Sequence, residues 1–413
     1  MASGSHAIAF RQAALFQSLW LQVASHVRTD RALPARFERV LRQHRGFGSR
    51  DRRLYRELFY TTLRFLPWLE AGAGAGALTD NDIQLVVWLS ASLPATQPMK
   101  EALTAKWPAL PPRTSERAAL AQSLGRSRAS ASLLPDWFKQ ECPTDFSGAD
   151  YDSLTSRAPL WIRLQTGDPT SVEHEFSARG WTWDVSKDLP EAWRLATDVE
   201  VESTQAFLRG QLEVQDIGSQ WVLHQARPQK GEQWLDACAG AGGKTLQLAR
   251  LVGPEGTVIA HDIRPAALTE LHARTSRARL GNVRSVYEVT GTFDAVLVDA
   301  PCSGTGTWRR APHLKWSTHS STLTEMSGLQ SEILKKFAPF VRPGGRLVYA
   351  TCSLARSENE EVVTHFLQHH PQFSMWPRSS ETRRDSSPTG STLLPSRLDS
   401  DGFFVATLER SRT

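Results

Sequence analysis

The sequence predicts an α/β protein in which a parallel sheet, wound with helices on both faces, is preceded by an all-α domain and a small α+β module. Three observations predict it. From about Gln215 onward, short apolar strands alternate with helical patterns, the signature of parallel strands joined by helical crossovers. The first third of the chain carries apolar stripes at helical spacing. Between them, from about Leu133 to Gly210, the texture is mixed. The expected boundaries are 1–131, 132–210 and 211–413.

A chain of 413 residues exceeds one ordinary hydrophobic core. With 40% hydrophobic and 22% charged residues it has the composition of a globular protein. No apolar run approaches membrane-spanning length, and the N-terminus has no charged leader ahead of an apolar core, so neither a membrane nor a secretion signal is expected. Four cysteines (Cys142, Cys238, Cys302 and Cys352) without a CxxC pair, and scattered histidines, argue against a disulfide framework and against a metal site. A reducing cytoplasm, a monomer and free thiols are the expectation. The formal net charge is +5, and Met1–Glu70 alone holds twelve arginines, no lysine and five acids. Arginine-dominated charge suits phosphate contact, although a solvated helix face explains it equally well.

In the first third, Leu15, Leu19 and Val23 form one stripe. Phe37, Val40 and Leu41 form a second, and Leu54, Leu58, Phe59 and Leu63 a third, with Ser49 as its expected N-cap. Ala71–Ala77 reads AGAGAGA, a loop rather than a phosphate cradle, since no strand precedes it and no Lys-Ser/Thr follows. A proline-rich break spans Leu93–Thr114. In the middle module Leu160–Leu164 reads as a strand and Trp181–Trp183 as another.

The later strands are expected at Gln233–Ala237, Gly256–His261, Phe293–Asp299, Gly345–Thr351 and Gly402–Leu408. Ligands of such folds lie beyond the carboxyl ends of the strands, and the suspicious residues fall there. Asp236-Ala-Cys-Ala-Gly-Ala-Gly-Gly-Lys-Thr245 follows the first strand and opens a helix. Glycines at 240, 242 and 243 admit a ligand close to the backbone, be it a dinucleotide, a phosphate or a sulfonium nucleoside. Asp262 ends the next strand, about where a carboxylate accepts ribose hydroxyls; the alternative is a helix cap before Arg264-Pro265. Cys302 and Cys352 stand just beyond two further strands, each followed by serine. Paired thiols at a ligand edge suit covalent catalysis on an electron-poor ring: a thiolate adding to carbon 6 of a cytosine makes carbon 5 nucleophilic toward a methyl donor. Asp299 could stabilise charge near ring nitrogen 3, and Lys244 could contact the base or keep a thiol ionised.

Five ordered motifs now identify a resemblance. Gln215-Asp-Ile-Gly-Ser-Gln220, Asp299-Ala-Pro-Cys-Ser-Gly-Thr-Gly306, Arg309-Arg-Ala-Pro-His-Leu-Lys-Trp316, Tyr349-Ala-Thr-Cys-Ser353 and Asp401-Gly-Phe-Phe-Val405 resemble the NOP/Sun family of S-adenosylmethionine-dependent RNA cytosine-5 methyltransferases. Phe47-Gly-Ser-Arg-Asp-Arg52 within the arginine-rich start resembles the NusB-type helical RNA-binding domain of the branch that modifies small-subunit ribosomal RNA. The resemblance implies a Rossmann-like catalytic domain, RNA as partner and S-adenosyl-L-methionine as cofactor. It implies Cys352 as nucleophile and Cys302 as the residue that assists breakdown of the adduct. It implies a cofactor site of Cys238, Ala239, Gly240, Ala241, Gly242, Gly243, Lys244, Asp262 and Asp299, the last also contacting the base. Because DNA cytosine-5 enzymes attack with the PC-motif cysteine, Cys302 is the second candidate nucleophile. Two departures stand out. The loop reads CAGAGGKT where the family has CAAPGGKT, and Tyr287–Asp294 lacks the family's adenine-contacting Asp, leaving Glu288 as a substitute in a strand. The small module's usual RVN is Arg163-Leu-Gln165. A transfer RNA substrate, an RNA-binding protein with a weakened pocket and a DNA methyltransferase are the competing expectations.

Overall fold

The computed structural model describes residues 2–69, 76–196, 198–377 and 386–412. Most of the AGAGAGA stretch, residues 71–75, lies outside the described residues. The chain divides into two compact units, one of 1–140, 146–157 and 307–319, the other of 141–145, 158–306 and 320–413.

The first unit is helical. Its longest helices are Ala2–Ala24, Leu33–Gln43, Ser49–Arg64 and Asp80–Leu89. The three apolar stripes converge: Leu19, Val23, Phe37, Leu41, Leu54, Leu58, Phe59 and Leu63 are buried in one cluster, and the Phe37 and Phe59 rings stack with centroids 4.0 Å apart. The N-cap of the third stripe is Gly48, one residue before the expected Ser49. The Asp51 carboxylate completes the cap by accepting the Gly48 N–H at 3.1 Å. The proline-rich stretch is not a plain break, since it encloses a helix, Gln97–Thr104, with Pro98 in the first turn, where a missing N–H costs nothing. The motif Arg309–Trp316 is part of this unit, although it comes late in the chain. Trp316 joins the helical core and donates to Leu63 O at 2.6 Å, the Lys315 ammonium donates to Arg64 O at 3.0 Å, and Arg64 donates to Arg309 O at 3.1 Å. Burial pushes the Arg64 guanidinium down to about 10 and Lys315 well below the usual lysine range.

The second unit begins with an antiparallel sheet of β1 (Leu160–Leu164), β2 (Trp183–Val185), β3 (Ala192–Leu195) and β4 (Leu212–Val214), in the order β2-β3-β1-β4. The strand expected at Trp181–Trp183 starts only at Trp183, because there the pairing with β3 begins and Trp183 stacks on Trp193. Its helix, Thr170–Ala178, buries Val172 and Phe176 against Ile162 and Trp193.

The principal sheet holds nine strands: β5 (Gln233–Asp236), β6 (Thr257–His261), β7 (Val283–Val286), β8 (Phe293–Asp299), β9 (Val341–Thr351), β10 (Phe373–Met375), β11 (Ser386–Ser387), β12 (Gly390–Leu393) and β13 (Phe403–Arg410). Strands β7, β6, β5, β8 and β9 lie side by side and parallel, and β13 continues the sheet antiparallel to β9. The expected final strand therefore runs antiparallel to the five parallel strands and is flanked on its far side by β12 and β10, a mixed sheet of a kind common in such folds. Both faces are packed: Trp234, Leu248, Ala295 and Val348 belong to one core cluster, Leu235, Val296, Leu334 and Leu347 to another. Chain order reverses between β5 and β8, so a crevice opens at their carboxyl ends.

Candidate active site

The loop after β5 is held by one internal backbone bond and by two to the end of β6. Ala239 N–H donates to His261 O, Gly242 N–H donates to Ala239 O, and Gly240 N–H donates to Asp262 Oδ2, each at 2.9 Å. Gly240 (φ +53°) and Gly242 (φ +91°) adopt left-handed conformations, and a Cβ on Gly242 would press to 3.0 Å on Leu246 and Leu271. The helix Gly243–Val252 starts at once, with Lys244 in its first turn. At 3.0 Å from Gly243 O lies a guanidinium nitrogen of Arg163, and Gln165 Nε2 donates to Leu246 O at 2.9 Å. The small sheet thus braces the first turn of this helix. Burial lowers Arg163 to about 9.

Asp262 serves two masters. Its Oδ1 accepts the Arg264 N–H at 2.9 Å, the capping role, while Oδ2 reaches the loop at Gly240. Burial alone would raise this carboxyl, but the Arg264 side chain, the Arg264 N–H and the Gly240 N–H outweigh it and hold it below the usual range. The Arg264 side chain is 67% exposed, so its head can leave Asp262 without unpacking anything. Immediately beside it Ile263 presents 82% of its surface to solvent. Sequence reading passed over this residue; an isoleucine between an aspartate and an arginine at a strand end was the available signal. Glu288 is not in a strand: β7 ends at Val286, and Glu288 is exposed in the bend that follows.

The other half of the crevice belongs to β8 and β9. They pair in parallel, with Asp299 opposite Ala350, so the loops that leave them run side by side. Cys302 and Cys352, fifty residues apart in sequence, come to 3.4 Å between sulfurs, both half-buried. The Lys244 ammonium meets Asp299 Oδ2 at 2.8 Å and lies over the Phe403 ring. Lys244, Asp299, Cys302 and Cys352 therefore occupy one edge of one unit, with Gly240 and Asp262 on the neighbouring strands. The hydrogen bond to Cys352, burial, and the charges of Cys352 and Glu358 all push the Cys302 thiol well above its ordinary value. Cys238 is also pushed up, by burial and then by Asp236, Asp299 and Asp262. At the foot of the cofactor loop burial raises Asp236 to about 7, partly offset by the Thr245 hydroxyl, which donates to Oδ2 at 2.7 Å. Sequence reading assigned Asp236 no role, and none to Glu358, a fully buried carboxylate that accepts from both cysteine loops.

A parallel sheet that reverses order beside a glycine loop, with an acid at the end of the next strand, is the Rossmann-like architecture of S-adenosylmethionine-dependent methyltransferases. Residues 223–409 match the sequence model of the family described as 16S rRNA methyltransferase RsmB/F. Over that segment the chain is similar to the RsmB/F methyltransferase family. It is 32% identical over 292 residues to ribosomal RNA small subunit methyltransferase B of Enterobacter sp. (strain 638), covering 67% of this chain and 66% of that protein. With the protein of the same description from Salmonella paratyphi B it shares 36% over 272 residues, 62% of this chain and 61% of that one. The matched stretch thus spans somewhat less than two thirds of these relatives' length. Among solved structures, that of PH0851 superposes with a TM-score of 0.72 at 21% identity, covering 95% of this chain and 98% of that one. NSun6 from Pyrococcus horikoshii with SFG superposes at 0.60 and 18% identity, covering 68% and 98%. At such identity these two speak to the fold.

Proposed function

We propose that this protein transfers a methyl group from S-adenosyl-L-methionine to carbon 5 of a cytosine in RNA, with small-subunit ribosomal RNA as the substrate. The observation that carries the reading is the pair of sulfurs 3.4 Å apart at the carboxyl ends of adjoining strands. The relatives' description as small-subunit ribosomal RNA methyltransferases supports the substrate.

The residues present fit the cofactor. The Asp262 carboxylate suits the two ribose hydroxyls once Arg264 swings aside, exposed Ile263 offers apolar surface to a purine face, and the turn at Gly240–Gly243 leaves room for the amino-acid end. When bound, S-adenosyl-L-methionine supplies an electrophilic methyl group.

Cys302 shares a hydrogen bond with Cys352. Thr351-Cys352-Ser353 resembles the motif in which the NOP/Sun family carries its nucleophile, and Cys352 takes that role. Its sulfur adds to carbon 6 of the cytosine, and the ring electrons pass to carbon 5, which takes the methyl group. Loss of the carbon 5 proton then expels the thiolate and restores the ring. Cys302, in contact with the leaving sulfur, assists that expulsion. Asp299, oriented by Lys244, faces the polar edge of the base. A cytosine within a helix must be flipped out to reach the thiol. The arginine-rich helical unit would bind the surrounding phosphates.

Incubation with labelled S-adenosyl-L-methionine and unmodified 16S ribosomal RNA tests the reading. Methylation at a cytosine carbon 5 that vanishes in Cys352→Ala is expected. RNA binding without transfer would sink the enzymatic reading in favour of a binding protein, and transfer to duplex DNA or transfer RNA instead would replace the substrate.

A further inference from the structure

The two thiols are useful to the proposed reaction only at a fixed separation, and neither cysteine fixes it. Each sits in a loop beyond its strand, and the loops touch farther along, where Gly306 N–H donates to Cys352 O at 3.0 Å and the Thr305 and Ser353 hydroxyls share a hydrogen bond at 2.9 Å. The residues that flank both sulfurs are held in addition by a third segment, the short helical turn Arg356–Glu358 that leads into the helix Glu360–His369.

Glu358 is completely buried. Its Oε1 accepts the Ser303 N–H at 2.7 Å and Gln330 Nε2 at 3.1 Å. Its Oε2 accepts the Ser303 hydroxyl and, at 2.5 Å, the Ser353 hydroxyl. Ser303 and Ser353 are the residues that directly follow the two cysteines. The residues that precede them are tied to the same group of side chains. Gln330 Nε2 also donates to Pro301 O at 2.9 Å, and Asn359, next to Glu358, accepts the Thr351 hydroxyl at 2.6 Å and donates to Ser353 O at 2.9 Å. Tyr349 closes the arrangement from β9 by donating to Glu358 O at 2.5 Å. Both chain neighbours of both cysteines are therefore referred to one carboxylate and its two companions. A buried carboxylate with donors on each oxygen is strongly directional, because any movement of either loop strands a polar group away from water.

We propose that Glu358 is a positioning residue that sets the spacing of Cys302 and Cys352 by binding the loops of both through Ser303 and Ser353. The proposal rests on the two-thiol reading of the site, and it adds to that reading the residue through which the pair is aligned. Glu358 itself touches no reacting atom. It acts by locking the two loops together at the residues next to the sulfurs, the kind of support that catalytic groups need to within about half an ångström.

Spacing can be read without any RNA. Diamide joins neighbouring thiols by taking up their two electrons and two protons, and the Cys302–Cys352 disulfide is then quantified by peptide mass spectrometry. The wild-type protein should form it rapidly. In Glu358→Ala the rate should fall at least about tenfold. Glu358→Gln should restore it to within about threefold, because the amide oxygen still accepts from Ser303 N–H and Gln330 while the amide nitrogen donates to the serine hydroxyls. Methyl transfer should follow the same order, with kcat in Glu358→Ala down about a hundredfold and KM for RNA within about threefold. Should Glu358→Ala fail to fold, Ser353→Ala cuts the Cys352 side alone and should slow cross-linking at least about threefold. Wild-type cross-linking rates in Glu358→Ala, or in Ser353→Ala where that variant carries the test, overturn the proposal, as do wild-type thiols that resist diamide. Normal cross-linking that depends on Glu358 in a protein that methylates no RNA would leave the clamp standing and refute the proposed reaction.

Discussion

Two buried carboxyl groups stand beneath the two halves of the crevice, and they are treated in opposite ways. Asp236, under the cofactor half, accepts one side-chain hydroxyl, and burial drives it up to about 7. Glu358, under the cysteine half, accepts four donors from three residues. The difference lies in what each acid reaches. The glycine loop turns on left-handed glycines and is tied to the next strand through Ala239 N–H to His261 O and Gly240 N–H to Asp262, and Asp236 beneath it bonds the Thr245 side chain of the helix that follows. The cysteine loops bond one another at Gly306 N–H to Cys352 O, and Glu358 beneath them bonds both.

The largest expected effect falls in the cysteine half. Cys302→Ala removes the thiol that meets Cys352 at 3.4 Å while leaving the nucleophile in place. A covalent protein–RNA adduct should accumulate, and turnover should fall on the order of a thousandfold, in the middle of the range that proton-transfer assistance contributes. Denaturing electrophoresis of protein incubated with RNA and S-adenosyl-L-methionine reads the adduct directly. A fully active Cys302→Ala enzyme without adduct would show that the two thiols do not divide the work.

In the cofactor half, the corresponding change is Asp262→Ala. A charged hydrogen bond is worth about 1.5–3 kcal/mol, so affinity for S-adenosyl-L-methionine should drop roughly 10- to 100-fold by calorimetry. Cross-linking of Cys302 to Cys352 should be untouched, because Asp262 bonds to Gly240 and Arg264 and to neither cysteine loop. Unchanged cofactor affinity would leave Asp262 with its capping role alone.

The same contrast explains what could be read from sequence. Glycines at 240 and 242 and the acid at 262 announce themselves locally, because a tight turn and a strand end constrain residue type within a few positions. The alternation of strands and helices fixed β5, β6, β8 and β9 to within a few residues, and with them the side of the sheet on which the cysteines emerge. That Glu358 binds Ser303 could not be read, since a buried hydrogen-bonded cluster leaves no periodicity and the two residues are 55 positions apart. Neither could the packing of Trp316 into the helical core. Its motif lies among the strands of the sheet in chain order, and long-range contacts of a single short segment carry no local pattern. The strand edges went unread for a related reason: β4, β10, β11 and β12 are four residues or fewer, too short for alternation to register.

The smallest effect tests the loosely held acid. A carboxyl at about 7 in the folded chain and near its ordinary 3.8 when unfolded keeps its proton on folding throughout that interval, while the unfolded chain gives it up. The folded state then binds more protons than the unfolded one, so this group lowers stability as pH rises from about 4 to about 7, and the loss is complete above that, at roughly 1.4 kcal/mol per pH unit traversed. Asp236→Asn keeps the shape and the acceptor for Thr245 and cannot ionise. Its unfolding temperature relative to the parent should therefore rise between pH 5 and pH 8, by about 1 °C for each kcal/mol in a protein of this size. Every other titrating group is common to both proteins and cancels in the difference. An equal gap at the two pH values would mean that Asp236 is ionised and well solvated when folded, and the contrast between the two halves of the crevice would then lie in their loops and not in the acids beneath them.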